Sequence, residues 1–174
     1  MEELYLKKIS LEDKNIVLDY VRELVECGSK RDGLWYEDCD SFEEMVKNLD
    51  RHASTPFSSY EQEVPPCIQY LLIRKEDGVM VGAVSVRPFL TKSLDETFGG
   101  NIGYSIRPSE RRKGYATIGL KLGVKKCKEI NPEDKVMVCC YKDNIGSRKT
   151  ILKNDGVLIE ERDGIIPHQK YLID

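Results

Sequence analysis

Apolar and polar residues fall along this chain in short, separable patterns. Leu4, Tyr5, Leu6 and Ile9 sit in a β-favouring run that predicts a first strand over residues 4–9. Ser10 and Asp13 have the spacing of a capping box. Behind them Ile16, Val17, Tyr20, Val21, Leu24 and Val25 recur at helical spacing, and Gly28 marks the stop. Ser41 and Glu44 repeat the capping signal ahead of Phe42, Met45, Val46 and Leu49, a second helix. Residues 53–66 are polar, proline-containing and aperiodic, hence a long loop. Two β-rich runs, 68–74 and 79–87, are joined across Asp77-Gly78 as a hairpin, and a further strand covers 102–106.

A helix is predicted over 115–130, with Ala116, Leu120, Val124 and Cys127 as its apolar stripe and Lys121, Lys125, Lys126 and Lys128 on its wet side. A strand at 135–141, a helix at 144–153 and a hairpin of 157–162 with 169–173, turning near Asp163-Gly164, complete the chain. His168, ahead of the last strand, reads as a polar turn residue. The order β-α-α-β-β-β-α-β-α-β-β, free of repeats, predicts a mixed α/β (α+β) fold in one domain over 1–174.

Composition narrows the function. With 174 residues, 40% hydrophobic and 33% charged, the chain can bury a real core and is not of the disordered class. A net charge of -3 and a pI near 5.6 argue against nucleic acid as a partner. No apolar run reaches membrane-spanning length, and the acidic Met1-Glu2-Glu3 start has no apolar segment behind it, so a cytoplasmic protein is expected. Cys27, Cys39, Cys67, Cys127, Cys139 and Cys140 lack the paired spacings of a metal or redox motif and are read as reduced; no metal is expected. Cys139 and Cys140 lie in the apolar run 136–140 as small hydrophobes, and Cys140 is the one nearest a strand end, where a catalytic thiol would sit.

Against that acidic background Arg111, Arg112, Lys113, Gly114, Tyr115 and Ala116 stand out, between the strand at 102–106 and the helix at 115–130. A helix start presents several backbone N–H groups without intrahelical acceptors, and the helix dipole favours an anion there. Gly114 lets backbone approach a phosphate, Ala116 keeps the surroundings open, and the three cations add charge. A solvated helix start rich in lysine and arginine has the same composition. The context separates the two readings: Tyr104-Ser105-Ile106-Arg107-Pro108-Ser109-Glu110 is an apolar strand running into a proline turn, and Asn144-Ile145-Gly146-Ser147 opens a second helix after a second apolar strand.

Together these segments resemble the Arg/Gln-x-x-Gly-x-Gly/Ala signature and the Asn-x-x-Ala/Ser helix start of the GNAT superfamily of acyl-CoA-dependent N-acetyltransferases, and the resemblance covers nearly the whole chain. It implies a GNAT-like three-layer fold: a mixed, mostly antiparallel sheet of about seven strands with flanking helices, its two central parallel strands splayed. It further implies acetyl-CoA as acyl donor, its pyrophosphate on Arg111, Arg112, Lys113, Gly114, Tyr115, Ala116 and Thr117. The pantetheine arm would then lie along the backbone of Tyr104, Ser105 and Ile106, beside Asn144 and Ser147. The acceptor would be a primary amine of a small molecule or peptide, and the protein a monomer or homodimer.

The chemistry needs two proton movements. An alkylammonium of pKa near 10.4 is neutral in about one molecule in a few thousand at pH 7, so the acceptor must lose a proton before it attacks. The departing thiolate then needs a proton. In many members of the family a tyrosine on the second helix supplies it; the corresponding residue here is Ile151, and Tyr141 is the replacement named. Where many relatives place a basic glutamate this chain has Asn101, with Asp95 and Glu96 upstream, and water-mediated proton loss stands beside any residue. Trp35, Glu37 and Asp38 combine an aromatic face with carboxylates suited to a cationic amine; as a structural alternative the acids precede a helix start and Trp35 closes the core. The competing functional class is a non-catalytic CoA-binding module or sensor, to which the replacements at 101 and 151 point.

Overall fold

The first two helices begin where their capping residues stand. In the computed structural model, which describes residues 3–34, 41–59 and 61–174, strand β1 (Leu4–Lys8) runs into a turn where the Ser10 amide donates to Asp13 Oδ2 at 2.9 Å. Asp13 is buried and also pairs with Lys7. Helix α1 (Lys14–Glu26) follows. The Glu44 amide donates to Ser41 Oγ at 3.1 Å at the start of α2 (Phe42–Ala53). Each cap satisfies an N–H that the first helical turn leaves open. Strands β2 (Ile68–Arg74) and β3 (Met80–Val86) form the hairpin expected across Gly78, whose φ of +70° suits the turn. A short helix α3 (Lys92–Glu96), capped by Thr91, was not legible in the sequence.

Strand β4 (Ile102–Ile106), helix α4 (Tyr115–Ile130), strand β5 (Val136–Tyr141), helix α5 (Ile145–Leu152) and strands β6 (Val157–Arg162) and β7 (His168–Ile173) complete the order. The strands form two antiparallel sheets, β1-β2-β3-β4 and β5-β7-β6, with no ladder between β4 and β5. Alternation along β2 and β3 sends Leu71, Ile73 and Ala83 to one face, under Val17, Tyr20, Leu24, Met45 and Leu49 of α1 and α2. Val84, Val86 and Ile102 face the other way, onto Leu120 and Cys127 of α4 and onto Val138, Ile151 and Tyr171. Each fully buried side chain of this kind contributes roughly 1.5–3 kcal/mol. His168 is not the polar turn residue expected: it opens β7, is buried, and lies 5.3 Å from Phe98 in an edge-to-face contact.

Asn101 sits where the two sheets part, and all its polar atoms are engaged. Its carbonyl accepts from the Arg87 amide at 2.7 Å, while its side-chain Nδ2 donates to the Arg87 carbonyl at 2.8 Å in place of its own N–H. That N–H swings across to the Met137 carbonyl at 2.7 Å, and Oδ1 accepts the Met137 amide at 2.7 Å. A single amide side chain thereby joins β3 to β5 at the base of a gap that opens beyond it. Asn101 is a brace for the splay; the position carries no base.

Candidate active site

Beyond Asn101 the two strands leave in the same direction, since Gly103–Ile106 and Cys139–Tyr141, their C-terminal halves, line one cleft of about 1030 Å³. That is the upper end of the roughly 300–1,000 Å³ usual for ligand sites. Hydrogen-bond parity decides which backbone groups face it. The Arg87 amide bonds the Asn101 carbonyl and the Arg107 amide bonds the Val81 carbonyl, so odd-numbered residues of β4 turn toward β3. Ser105 therefore spends its backbone on Ala83, and it meets the cleft by its side chain, which donates to the Asp32 carbonyl and lies 2.8 Å from the Tyr20 hydroxyl. Burial pushes the Tyr20 phenol up to about 12. Even-numbered Tyr104 and Ile106 turn their backbone to the unpaired edge, but the Ile106 carbonyl is already taken by Arg111 Nε at 3.2 Å. What the edge leaves open is the N–H and C=O of Tyr104 and the N–H of Ile106.

At the start of α4 Gly114 holds φ +86° and Arg112 φ +68°. Around this left-handed turn the amides of Arg112, Lys113, Gly114, Tyr115 and Ala116 meet no acceptor among the described residues. Gly114, Tyr115, Ala116 and Thr117 line the cleft. The cations are used differently from one another. Arg111 and Arg112 both line the cleft, and Arg111 also latches the loop after α1, its Nη2 donating to Ser29 Oγ at 2.9 Å. Lys113 is not in the cleft lining and pairs with Glu110, 2.7 Å off. Glu110 also receives Arg74 at 2.9 Å, which in turn reaches the Tyr115 hydroxyl at 3.1 Å. Burial works against the Glu110 charge, yet these two cations outweigh it and hold its carboxyl below the ordinary range. Lys149 of α5 and Lys153 at its C-terminal cap also line the cleft and supply positive charge that the motif does not signal.

Asn144 caps α5, its Oδ1 accepting the Ser147 amide at 3.0 Å. The Ser147 hydroxyl lies 2.7 Å from the Tyr104 hydroxyl, so a side chain from β4 reaches across the gap to α5. Burial pushes the Tyr104 phenol up to about 12. Ile151, with no exposed surface, is a core residue. Cys140 is buried in the wall and its thiol is pushed up by that burial, the opposite of what a nucleophilic thiolate needs.

The far end of the cleft is closed by the loop after α1. Gly33, at φ +86°, lies so close to β4 that a Cβ there would stand 2.7 Å from Tyr104 Cα. Lys30 Nζ is 3.6 Å from the centroid of the Tyr141 ring, which stacks on Phe98 at 4.4 Å. Tyr141 is thus held between a cation on one face and a second ring on the other. Asp32 is on the same wall, its carboxyl pushed up by burial against the influence of Lys30. Trp35, Glu37 and Asp38 lie outside the described residues. Lys30, Asp32, Gly33 and the Tyr104 hydroxyl were missed in the sequence, because only the tertiary approach of loop to strand gives them a role.

The chain matches the family model described as an acetyltransferase (GNAT) domain over residues 4–157, and it belongs to that family. It is an acetyltransferase by that membership. Among solved structures it is similar in fold to Mycobacterium smegmatis RimJ in complex with CoA-disulfide, at a TM-score of 0.69 and 14% identity over 98% of this chain and 81% of that one. The ribosomal-protein-S5-alanine acetyltransferase of Vibrio fischeri gives 0.67 and 14% over 99% and 93%. The spermidine/spermine N-acetyltransferase SpeG of Vibrio cholerae, in mutant forms, gives 0.64 and 11% over 98% and 92%. No curated protein matches the sequence. Among the described residues no cluster of metal-ligating side chains occurs, and no helix is long and apolar enough to cross a membrane.

Proposed function

We propose that the protein transfers an acetyl group from acetyl-CoA to a primary amine of a small molecule or peptide by direct attack of the amine on the thioester. The carrying observation is that one cleft is lined by Arg112, Gly114, Tyr115 and Ala116, whose amides meet no acceptor among the described residues, and by an unpaired β4 edge. Those amides, with Arg112, Lys149 and Lys153 around them, suit a diphosphate. The open N–H and C=O of Tyr104 suit the amide-bearing arm as a further strand, and an N–H on that edge can polarise the thioester carbonyl. The amine approaches from the loop after α1, where Asp32 is a wall carboxylate able to accept its proton.

SpeG acts on polyamines by its name and the S5 enzyme on a protein alanine, so both acceptor classes belong in the assay. Release of free thiol from acetyl-CoA is measured against polyamines, lysine derivatives and peptide N-termini, with CoA binding measured calorimetrically alongside. Binding together with thiol release supports transfer. The buried Ile151 is the one observation favouring a binding module, and CoA binding without release against any amine would establish that second reading.

A further inference from the structure

We propose that the Tyr104 hydroxyl, held beside Ser147 across the gap between β4 and α5, gives the departing CoA thiolate its proton. The inference rests on the acetyl-transfer reading above and adds a residue to it. Parity puts the Tyr104 backbone on the unpaired edge of β4 where a thioester carbonyl would bond, so the phenol and the reacting carbonyl belong to the same residue's surroundings. The side chain packs beside Val84, Ile102 and Val138 on the α4 and α5 side of the sheet and carries its hydroxyl to the first turn of α5. Ser147 and Thr150 of α5 hydrogen-bond that hydroxyl, and burial pushes the phenol up, so it keeps its proton at neutral pH until a stronger base forms beside it.

The step balances. The amine nitrogen bonds the acetyl carbon, the carbon–sulfur bond breaks with its electron pair on sulfur, and the Tyr104 proton passes to that sulfur. The phenolic oxygen lies 2.7 Å from Ser147 Oγ and donates to the Ser147 carbonyl at 3.4 Å, so the phenol rests on the first turn of α5 and swings its proton to the sulfur as the thiolate forms. The proton given up is replaced from the proton that the amine has lost, through Ser147 and water. Tyr141 is less suited because its described contacts are those of a ring face, with Lys30 over it and Phe98 under it.

The test needs no acceptor. CoA is bound to the wild type, to Tyr104→Phe and to Ser147→Ala, and ionisation of the bound thiol is followed by its ultraviolet thiolate absorbance as pH is raised. A hydroxyl that donates to the thiolate lowers the thiol pKa, so the Tyr104→Phe complex should ionise about one pH unit higher than wild type, with Ser147→Ala between them. With an acceptor in hand kcat of Tyr104→Phe should fall about 100-fold. The same titration in wild type and both variants overturns the assignment, as does a shift produced by Tyr141→Phe in place of Tyr104→Phe. Should Tyr104→Phe fail to fold, Ser147→Ala decides alone. Absence of CoA binding to the wild type is a separate result and overturns the reading beneath.

Discussion

Gly114→Val separates the backbone demands of the fold from those of the ligand. Gly114 is left-handed at φ +86°, and the space where a Cβ would go is open to 4 Å. In the free protein the substitution therefore meets no clash, only the left-handed strain of about 1–2 kcal/mol. For a chain of this size, 1 kcal/mol corresponds to roughly 2–4 °C in Tm. Gly78 is the matched control: φ +70°, equally open, but in the β2–β3 turn and absent from the cleft wall. The ligand-bound state differs. A β-branched side chain at 114 displaces phosphate from the amides, and a hydrogen bond to a charged group is worth about 1.5–3 kcal/mol. CoA should bind Gly114→Val about 10- to 100-fold more weakly than wild type. Gly78→Val should match its loss of Tm and keep wild-type affinity. Calorimetry with CoA and thermal melts of both variants are the assay, and equal CoA affinity in the two would refute the placement of the diphosphate.

Other substitutions probe the supports. Asn101→Ala strands the Met137 amide and the Arg87 carbonyl, and urea unfolding should show a loss of about 2–4 kcal/mol. Gly33→Ala drives a Cβ against Tyr104 Cα and the Ala83 carbonyl, at 2.7 and 2.8 Å, so melting should fall by more than the strain at 114 alone produces. Asp13→Asn tests a pH dependence. Burial opposes the Asp13 charge, but hydrogen bonds from Lys7 and Ser10 outweigh it, and its carboxyl is held below the ordinary 3.8. The stabilisation is then fully present above that value and lost as pH falls through the folded-state pKa beneath it. Melts in a pH series should show wild type ahead of Asp13→Asn by about 1–2 kcal/mol near neutrality. That lead should shrink as the medium is acidified below pH 3.8, and a lead that persists there would contradict the assignment.

What could be seen in the sequence was local. Ser10 and Asp13, Ser41 and Glu44, and Asp77-Gly78 each act within a few residues, and they placed helix starts and a turn that the structure keeps. The turn at Gly114 was visible because it is a single peptide's conformation plus a helix start. What stayed hidden depends on contacts between distant segments. Asn101 looked like a missing base, since nothing near it in the chain reveals that Arg87 and Met137 flank it. Arg111 and Lys113 look alike in the sequence, yet Arg111 bonds Ile106 and Ser29 while lining the cleft, and Lys113 pairs with Glu110. In the sequence Ser105 and Ile106 are equivalent along the arm, and only the register with β3 distinguishes them. Helix α3 is too short for a periodic pattern to form.

The central claim is that amides at the start of α4 grip a diphosphate while the cofactor's arm lies along β4. Amide NMR spectra of the isotope-labelled protein, recorded as CoA is titrated in, test it at every backbone position at once. The account predicts that the largest shifts fall on Arg112 to Thr117, with Tyr104 and Ile106 moving more than Ser105, whose N–H faces β3. Largest shifts on β1, β6 or the α2 surface, with residues 112–117 unmoved, would contradict it.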